Sequence, residues 1–546
     1  KWYSLPMPVT LLSDKVPKSI KELEKILLAN RGLSDGVSFF HPVHPADLTE
    51  FETGLTHEML EAVAERLLVA KKSHETVLIF GDYDADGVCA TAILWEALFS
   101  LGIRAQPFIP DRFNHGYGLT VKAIEAVITP TKPDLIITVD NGIVAYEALE
   151  EARRLGISTI VTDHHQPDTK PLPADLVLHS TKLSGSGVAW MLAHHLAPTV
   201  ALQSLELAGL ATIADQVPLV GANRSVAYHG LEALRRTKRL GLLELFRVAG
   251  VEQAKITEKT VGFGIAPRIN AMGRLASALD ALRLLCTTSQ VRAQNLAQLL
   301  QDKNVERQQL TADLVAVAKL QAEQQSESAI LVIHSESFHE GVIGLIAGRL
   351  VEEYHKPAVV IAMGAQTGKG SARSTPEVNI VELLRSVREH LLELGGHPMA
   401  AGFNISVDKL EPFRMAANTS VAQIMSTQPI EKQVTAECVL PAELVTLKTA
   451  EYLEKYAPFG AHNPQPVFQI SDVTCVTTQT VGKMANHRKY TFKIGEKLVA
   501  GMTWYQPEPL ATANTADLTI IASLGIETWR QKSLLLGVKV ISPGVG

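Results

Sequence analysis

The chain has 546 residues, more than one hydrophobic core can organise, so three or four domains are expected. Its 46% hydrophobic and 20% charged content excludes a disordered or low-complexity protein, and no apolar run of about 18 residues offers a membrane span. A net charge of −6 excludes a surface coated in basic residues but is compatible with local grooves that hold nucleic acid.

In chain order, residues 1–70 read as an entry segment of mainly helical character, with KSIKELEKILLANRG its clearest amphipathic stretch. KWYSLPMPVTLLSDK carries no charged-then-apolar secretion signal and no initiating Met, so a trimmed start is expected. Residues 71–275 open with alternating strand and helix patterns: TVLIF, the helical VCATAILWEALFSLG, RAQPFIP, DLIITV, the helical VAYEALEEARRLG, STIVT and DLVLHS. That alternation predicts a mostly parallel, doubly wound sheet, with helices after it. A connecting helix is predicted within 276–327, because Ser277 to Glu327 contains no Pro and no Gly. Residues 328–428 return to an α/β pattern with AILVIH, the helical GVIGLIAGRLVEEYH, PAVVIA, MAAGFNIS and a helix around 408–425. Residues 429–546 change to short β-like runs, among them KYTFKIG, DLTIIASLG and KSLLLGVKVIS, which fit a small antiparallel, OB-like barrel. The fold class is α/β, with two α/β domains joined by a helical connector and a C-terminal OB-like β-barrel. Cys89, Cys286, Cys438 and Cys475 stand far apart without a CxxC pair, which reads as reduced, buried thiols of a cytosolic protein.

The chemistry gathers at three apolar runs that end in acid. TVLIFGDYDADG ends at Asp82, Asp84 and Asp86, DLIITVDNG at Asp140, and STIVTDHH at Asp163, His164 and His165. Each run reads as a buried parallel strand, and such sheets bind ligands at their carboxyl edge. Five or more carboxylates beside two imidazoles cannot stay ionised together in one crevice without cations, and two hard divalent ions, Mn²⁺ or Mg²⁺, answer that need. In DYDADG the acids either face one side of an extended segment or converge if the chain turns at Gly87. An EF-hand is excluded, because a strand precedes and Ile93 occupies loop position twelve. Asp140, on the middle strand end, is the candidate bridging carboxylate of a two-metal phosphoryl hydrolase. Side chains alternate along an extended segment, so His164 and His165 are given different roles. Asp215, at the end of the helical run LAGLATIADQ, is a fourth metal candidate, and His194–His195 reads as a chance pair.

Three Gly-containing segments downstream are candidates to hold substrate. APRINAMGR supplies Arg268, Asn270 and Arg274; GKGSARS supplies Lys369, Ser371, Arg373 and Ser374; GGHPMAAGF supplies Gly395, Gly396 and His397. Glycines let backbone N–H groups approach phosphate, and arginine presents a fork that matches its oxygens. His339 and Glu340 lack HExxH spacing and are not a zinc-protease pair. Aromatic residues make up only 5% of the chain, so platforms for stacked bases are few.

These segments, in this order, resemble the DHH phosphoesterase superfamily, and within it the bacterial RecJ nucleases. GDYDADG, the Asp140 strand end, TDHH and ATIADQVPL resemble the metal motifs of a DHH domain over 71–275, and FHEGVIG, GSARS and GGHPMAAGF resemble a DHHA1 domain. The resemblance implies an exonuclease dependent on Mn²⁺ or Mg²⁺ that degrades single-stranded DNA from 5′ to 3′ into mononucleotides, in recombination and repair. It implies Asp84, Asp86, Asp140, His164 and Asp215 as metal ligands, Asp82 as a further ligand or a supporting group, and catalytic roles for Asp140, Asp163 and His165. It places His165 on the scissile phosphate or the leaving group, and Arg373 and His397 on phosphate. A cytoplasmic monomer that meets a helicase and a single-strand-binding protein, with no membrane, is likewise implied. One departure stands out: some relatives carry a metal-binding His where this chain has Phe80, and Asp82 is the candidate to compensate.

Overall fold

The computed structural model describes residues 9–116, 118–427, 433–482, 485–506, 508–527 and 532–543. These form two compact units, one drawn from the spans 49–215 and 229–431, the other from 1–48, 216–228 and 432–546.

The first unit contains two sheets. Strands β1 (Val77–Phe80), β2 (Ala105–Phe108), β3 (Leu135–Val139), β4 (Ser158–Asp163) and β5 (Leu176–His179) lie in the order β2-β1-β3-β4-β5, all parallel. Every residue of β1 and β3 is buried, which is why both read as unbroken apolar runs rather than alternating ones. The order reverses between β1 and β3, and ligand crevices of doubly wound sheets open at such a switch point. Helices α1 (Ala85–Ser100) and α2 (Gly185–Leu196) pack on the sheet, α3 (Leu205–Ala214) and α4 (Ala266–Leu275) pack against α1, and α5 (Gln290–Glu323) is the 34-residue connecting helix. At 1.5 Å per residue α5 spans about 50 Å.

The second sheet consists of β6 (Leu331–Ser335), β7 (Ala358–Met363), β8 (Thr367–Arg373), β9 (Leu391–His397) and β10 (Ala400–Ser406), in the order β9-β10-β8-β7-β6. Only β6 and β7 pair in parallel; β8, β9 and β10 make antiparallel ladders. Helix α6 (Ile343–Tyr354) packs with α5 on one apolar layer, and α7 (Leu410–Thr427) covers another built on Val359, Phe403 and Ile405.

The other unit is a closed five-stranded barrel, β11 (Val467–Val481), β12 (His487–Ile494), β13 (Lys497–Thr503), β14 (Thr515–Glu527) and β15 (Ser533–Pro543), in the order β11-β12-β13-β15-β14. It is not wholly antiparallel as the sequence suggested, because β13 and β15 run parallel. An odd number of strands cannot close a ring with alternating directions throughout, so one parallel pair is required. The amphipathic helix Ile20–Asn30 buries Leu23, Ile26 and Leu27 in the same core as barrel residues Phe468, Tyr490 and Phe492. No helix among the described residues is long and apolar enough to cross a membrane. Cys89, Cys438 and Cys475 are buried free thiols, whereas Cys286, expected to be buried, is only half-buried.

Candidate active site and metal centre

The three acidic strand ends meet at the carboxyl edge of the parallel sheet. After β1 the chain turns at Asp84, earlier than Gly87, because Asp84 caps α1: its Oδ1 accepts the Asp86 and Gly87 amides at 2.9 and 3.0 Å. Gly87 permits this turn, since a Cβ there would stand 2.6 Å from the Asp82 backbone. Asp86, in the first turn of α1, accepts the Gly185 and Ser186 amides of α2 at 2.8 and 2.9 Å. Asp140 follows the central strand β3 in the left-handed region (φ 64°), which Asp tolerates better than most residues, and Asn141 ties the turn by donating to the Val139 and Phe80 carbonyls. Gly185 is packed so closely on Asp140 that a Cβ there would collide with its carboxylate.

His164 Nε2 stands 3.1 Å from Asp140, 3.6 Å from Asp215 and 3.9 Å from Asp86. Two groups of donor atoms are thus close enough to share an ion, Asp86–His164–Asp215 and Asp140–His164–His165. Asp215 caps the C-terminus of α3, the negative end of the helix dipole, where a carboxylate is electrostatically out of place. His165 Nδ1 pairs with Asp163 at 2.7 Å, and its ring stacks on His397 with centroids 5.4 Å apart. Asp163 also accepts the His164, His165 and Ile143 amides, so its oxygens are committed to orienting the turn and His165. Phe80 is sealed in the apolar layer, 5.4 Å from the Phe108 ring, and Asp82 is a buried carboxylate receiving the Tyr83 amide.

The electrostatics show what the cluster lacks. Burial, reinforced by neighbouring carboxylates, pushes Asp86 up to about 6 and Asp82 up to about 7, and raises Asp140 and Asp215 well above the usual carboxylate range. Burial and the charge on His165 push His164 down to about 3, leaving a neutral imidazole whose nitrogen is available as a donor. Burial also opposes a charge on His165, but the hydrogen bond and charge of Asp163 outweigh it and raise its pKa. Burial works against Asp163 too, yet the bond from His165 holds its carboxyl below the ordinary value. Among the described residues Asp140 Oδ1, though buried, accepts no hydrogen bond. An unsatisfied buried oxygen, carboxyls driven toward protonation and a neutral imidazole form a donor set that could hold a divalent cation.

The downstream segments adopt three different structures. APRINAMGR is helix α4, in which Asn270 Oδ1 accepts the Ala85 amide at 2.7 Å and Arg268 donates to Gln301 of α5 at 2.7 Å. GKGSARS is strand β8, where alternation puts Lys369, Ser371 and Arg373 on one face; Lys369 pairs with Glu340 at 3.2 Å, and Ser374 beyond it closes a turn onto Val378. GGHPMAAGF is the β9–β10 hairpin, with Gly396 at φ 147° and His397 at its tip beside His165. Arg274 donates to the Gly341 carbonyl at 3.1 Å, and Arg373 to Ser371 and the Ala372 carbonyl. His194 stacks on Trp190 and His195 pairs with Glu61, both in the last turn of α2.

Sequence reasoning missed Arg112. It lies in the loop after β2, its guanidinium stands 4.0 Å over the Tyr83 ring, and its Nε donates to the Gly273 carbonyl at 3.2 Å. Burial first, then Arg112 and Arg373, push Arg274 down to about 9, so the three guanidiniums repel one another. Among the described residues their donations go to carbonyls and a hydroxyl rather than carboxylates, a donor set suited to an anion. The rule that singled out Asp82 and Asp140, a loop leaving the carboxyl end of a strand, applied equally to Arg112.

Comparison with known proteins agrees with this architecture. The DHH family N-terminal domain matches residues 76–214, the DHHA1 domain 325–423 and the RecJ OB domain 436–537. The single-stranded-DNA-specific exonuclease RecJ of Bacillus subtilis is 34% identical over 88% of this chain and 63% of its own length. The chain thus spans less than two thirds of that relative. The RecJ exonuclease of Dickeya dadantii is 31% identical over 83% of this chain and 84% of its own. The crystal structure of Thermus thermophilus RecJ in complex with Mn²⁺ superposes with a TM-score of 0.83 at 28% identity, covering 99% of this chain and 80% of that one.

Proposed function

The chain belongs to the RecJ family, and we propose that it is a divalent-metal-dependent nuclease that releases mononucleotides from the 5′ end of single-stranded DNA. The observation that carries the proposal is the convergence of Asp86, Asp140, His164 and Asp215 in the same unit as the Arg112, Arg274 and Arg373 group. The Mn²⁺ complex of Thermus RecJ supports the choice of metal.

Asp86, Asp140, His164 and Asp215 would hold two ions of Mn²⁺ or Mg²⁺, with Asp82 and Asp84 beside them. Bound there, the metals would supply charge neutralisation on the phosphate and an activated water. His165, fixed through Nδ1 by Asp163, presents Nε2; its raised pKa lets it keep a proton there for the scissile phosphate or the departing 3′ oxygen. His397, stacked on His165, would contact the same phosphate from the hairpin. Arg112, Arg274 and Arg373, with Ser371, would hold the terminal 5′ phosphate, which sets the cut one nucleotide in and the direction of travel. The barrel would grip the incoming strand, and its exposed Trp504 and Tyr505 offer faces for base stacking. Work in recombination and repair as a cytoplasmic monomer, with a helicase and a single-strand-binding protein as partners, completes the proposal.

The test is digestion of oligonucleotides labelled at either end, with Mn²⁺, Mg²⁺ or EDTA, on single strands, blunt duplex and a diribonucleotide. Mononucleotide release from the 5′ end of single strands alone, abolished by EDTA, is expected. Cleavage of the diribonucleotide alone would replace it with a small-substrate hydrolase, and tight binding without cleavage with a scaffold.

A further inference from the structure

Helix α1 begins between two carboxylates of the metal cluster, and its buried first amides, which have no partner within the helix, need acceptors. Asp84 satisfies the Asp86 and Gly87 amides from within the same loop, but the Ala85 amide is met from elsewhere, by Asn270 Oδ1 of α4 at 2.7 Å. One turn further along α4, on the same face, Gly273 lies against the Tyr83 carbonyl so tightly that a Cβ would collide with it. Arg112 closes a ring of contacts, stacked on the Tyr83 ring and donating to the Gly273 carbonyl. The segment Tyr83–Ala85 is therefore gripped by one face of α4, while Arg274 of the same helix holds the Gly341 carbonyl next to the second sheet.

We propose that Asn270 is a positioning residue for the metal centre: its amide side chain pins the Ala85 amide and so fixes the separation of the Asp84 and Asp86 carboxylates. The inference rests on the metal reading above and deepens it. A carboxylate that can swing loses part of its binding free energy to ordering, and groups that orient metal ligands are worth about ten- to a hundred-fold in affinity. By this logic the amide carbonyl of Asn270 is spent on the protein's own backbone, and the phosphate-facing work of α4 falls to Arg274.

The experiment is Mn²⁺ titration of wild type, Asn270→Ala and Asp140→Ala by calorimetry, with the binding of a 5′-phosphorylated single strand measured in EDTA alongside. Circular dichroism of the EDTA forms reports whether each variant is folded. Asn270→Ala is expected to weaken Mn²⁺ binding about ten- to a hundred-fold and leave strand affinity in EDTA unchanged, whereas Asn270→Asp, whose carboxylate can still accept the Ala85 amide, is expected to bind Mn²⁺ nearly as tightly as wild type. Unchanged Mn²⁺ affinity with weakened strand binding would overturn the inference and make Asn270 a substrate contact. Absence of Mn²⁺ binding by wild type itself would instead overturn the metal reading on which it rests.

Discussion

Removing metal should make the protein less stable as the pH rises. Asp86 and Asp82, ordinarily near 3.8, are pushed up to about 6 and about 7 by burial and by Asp84. Between those values the folded state holds protons that the unfolded chain has already released, so stability falls as pH rises through the window. From pH 5 to pH 8, Asp86 costs about 1 kcal/mol and Asp82 about 3 kcal/mol, and Asp140 and Asp215 act in the same direction. His165, whose folded pKa is raised, contributes stability present at low pH and lost through the same range. His164, pushed down to about 3, works the other way and returns about 2 kcal/mol over this range, and the net loss of about 2 kcal/mol lowers Tm by about 4–8 °C for a domain of 150–250 residues. The assay is calorimetric melting at pH 5 and pH 8, in EDTA and in Mn²⁺. Mn²⁺ should remove the fall, because the ion takes the place of the protons, and Asp140→Asn should flatten the EDTA slope by deleting a titrating charge. A Tm in EDTA that is level or rises from pH 5 to pH 8 would show that the carboxylates ionise freely and refute the reasoning.

Three further outcomes are expected. His165→Ala should lower kcat by about 10²–10⁴-fold while Mn²⁺ affinity is retained, a split read by steady-state kinetics and calorimetry. Arg112→Ala and Arg373→Ala should each erase the preference for 5′-phosphate over 5′-hydroxyl ends and reduce the salt dependence of strand binding by about one unit of slope, measured by fluorescence anisotropy. Gly185→Ala should place a methyl group on the Asp140 carboxylate, at a cost of about 1–3 kcal/mol, and lower Mn²⁺ affinity with it; unchanged affinity would show that Asp140 is free to move.

The parallel sheet and its acidic edge were legible because buried strands write themselves as unbroken apolar runs and because Asp140 and the DHH turn end two of them. The long connecting helix was legible from the absence of Pro and Gly, and α5 falls within the predicted stretch. Long-range partners were not. Asn270 and Ala85 are 185 residues apart, and no local spacing announces that an amide on one helix completes the cap of another. Arg112 was passed over because one arginine in a loop carries no pattern; its meaning comes from Arg274 and Arg373, brought beside it by the fold. The N-terminal amphipathic helix displayed its apolar face, yet only tertiary structure identifies the barrel core as what that face covers.

The most direct measurement is anomalous diffraction at the manganese edge from crystals grown with Mn²⁺. Two peaks about 3.5–4 Å apart, flanked by Asp86, Asp140, His164 and Asp215, are expected. No peak at these side chains, in a protein that still digests single strands, would contradict the assignment of the catalytic centre.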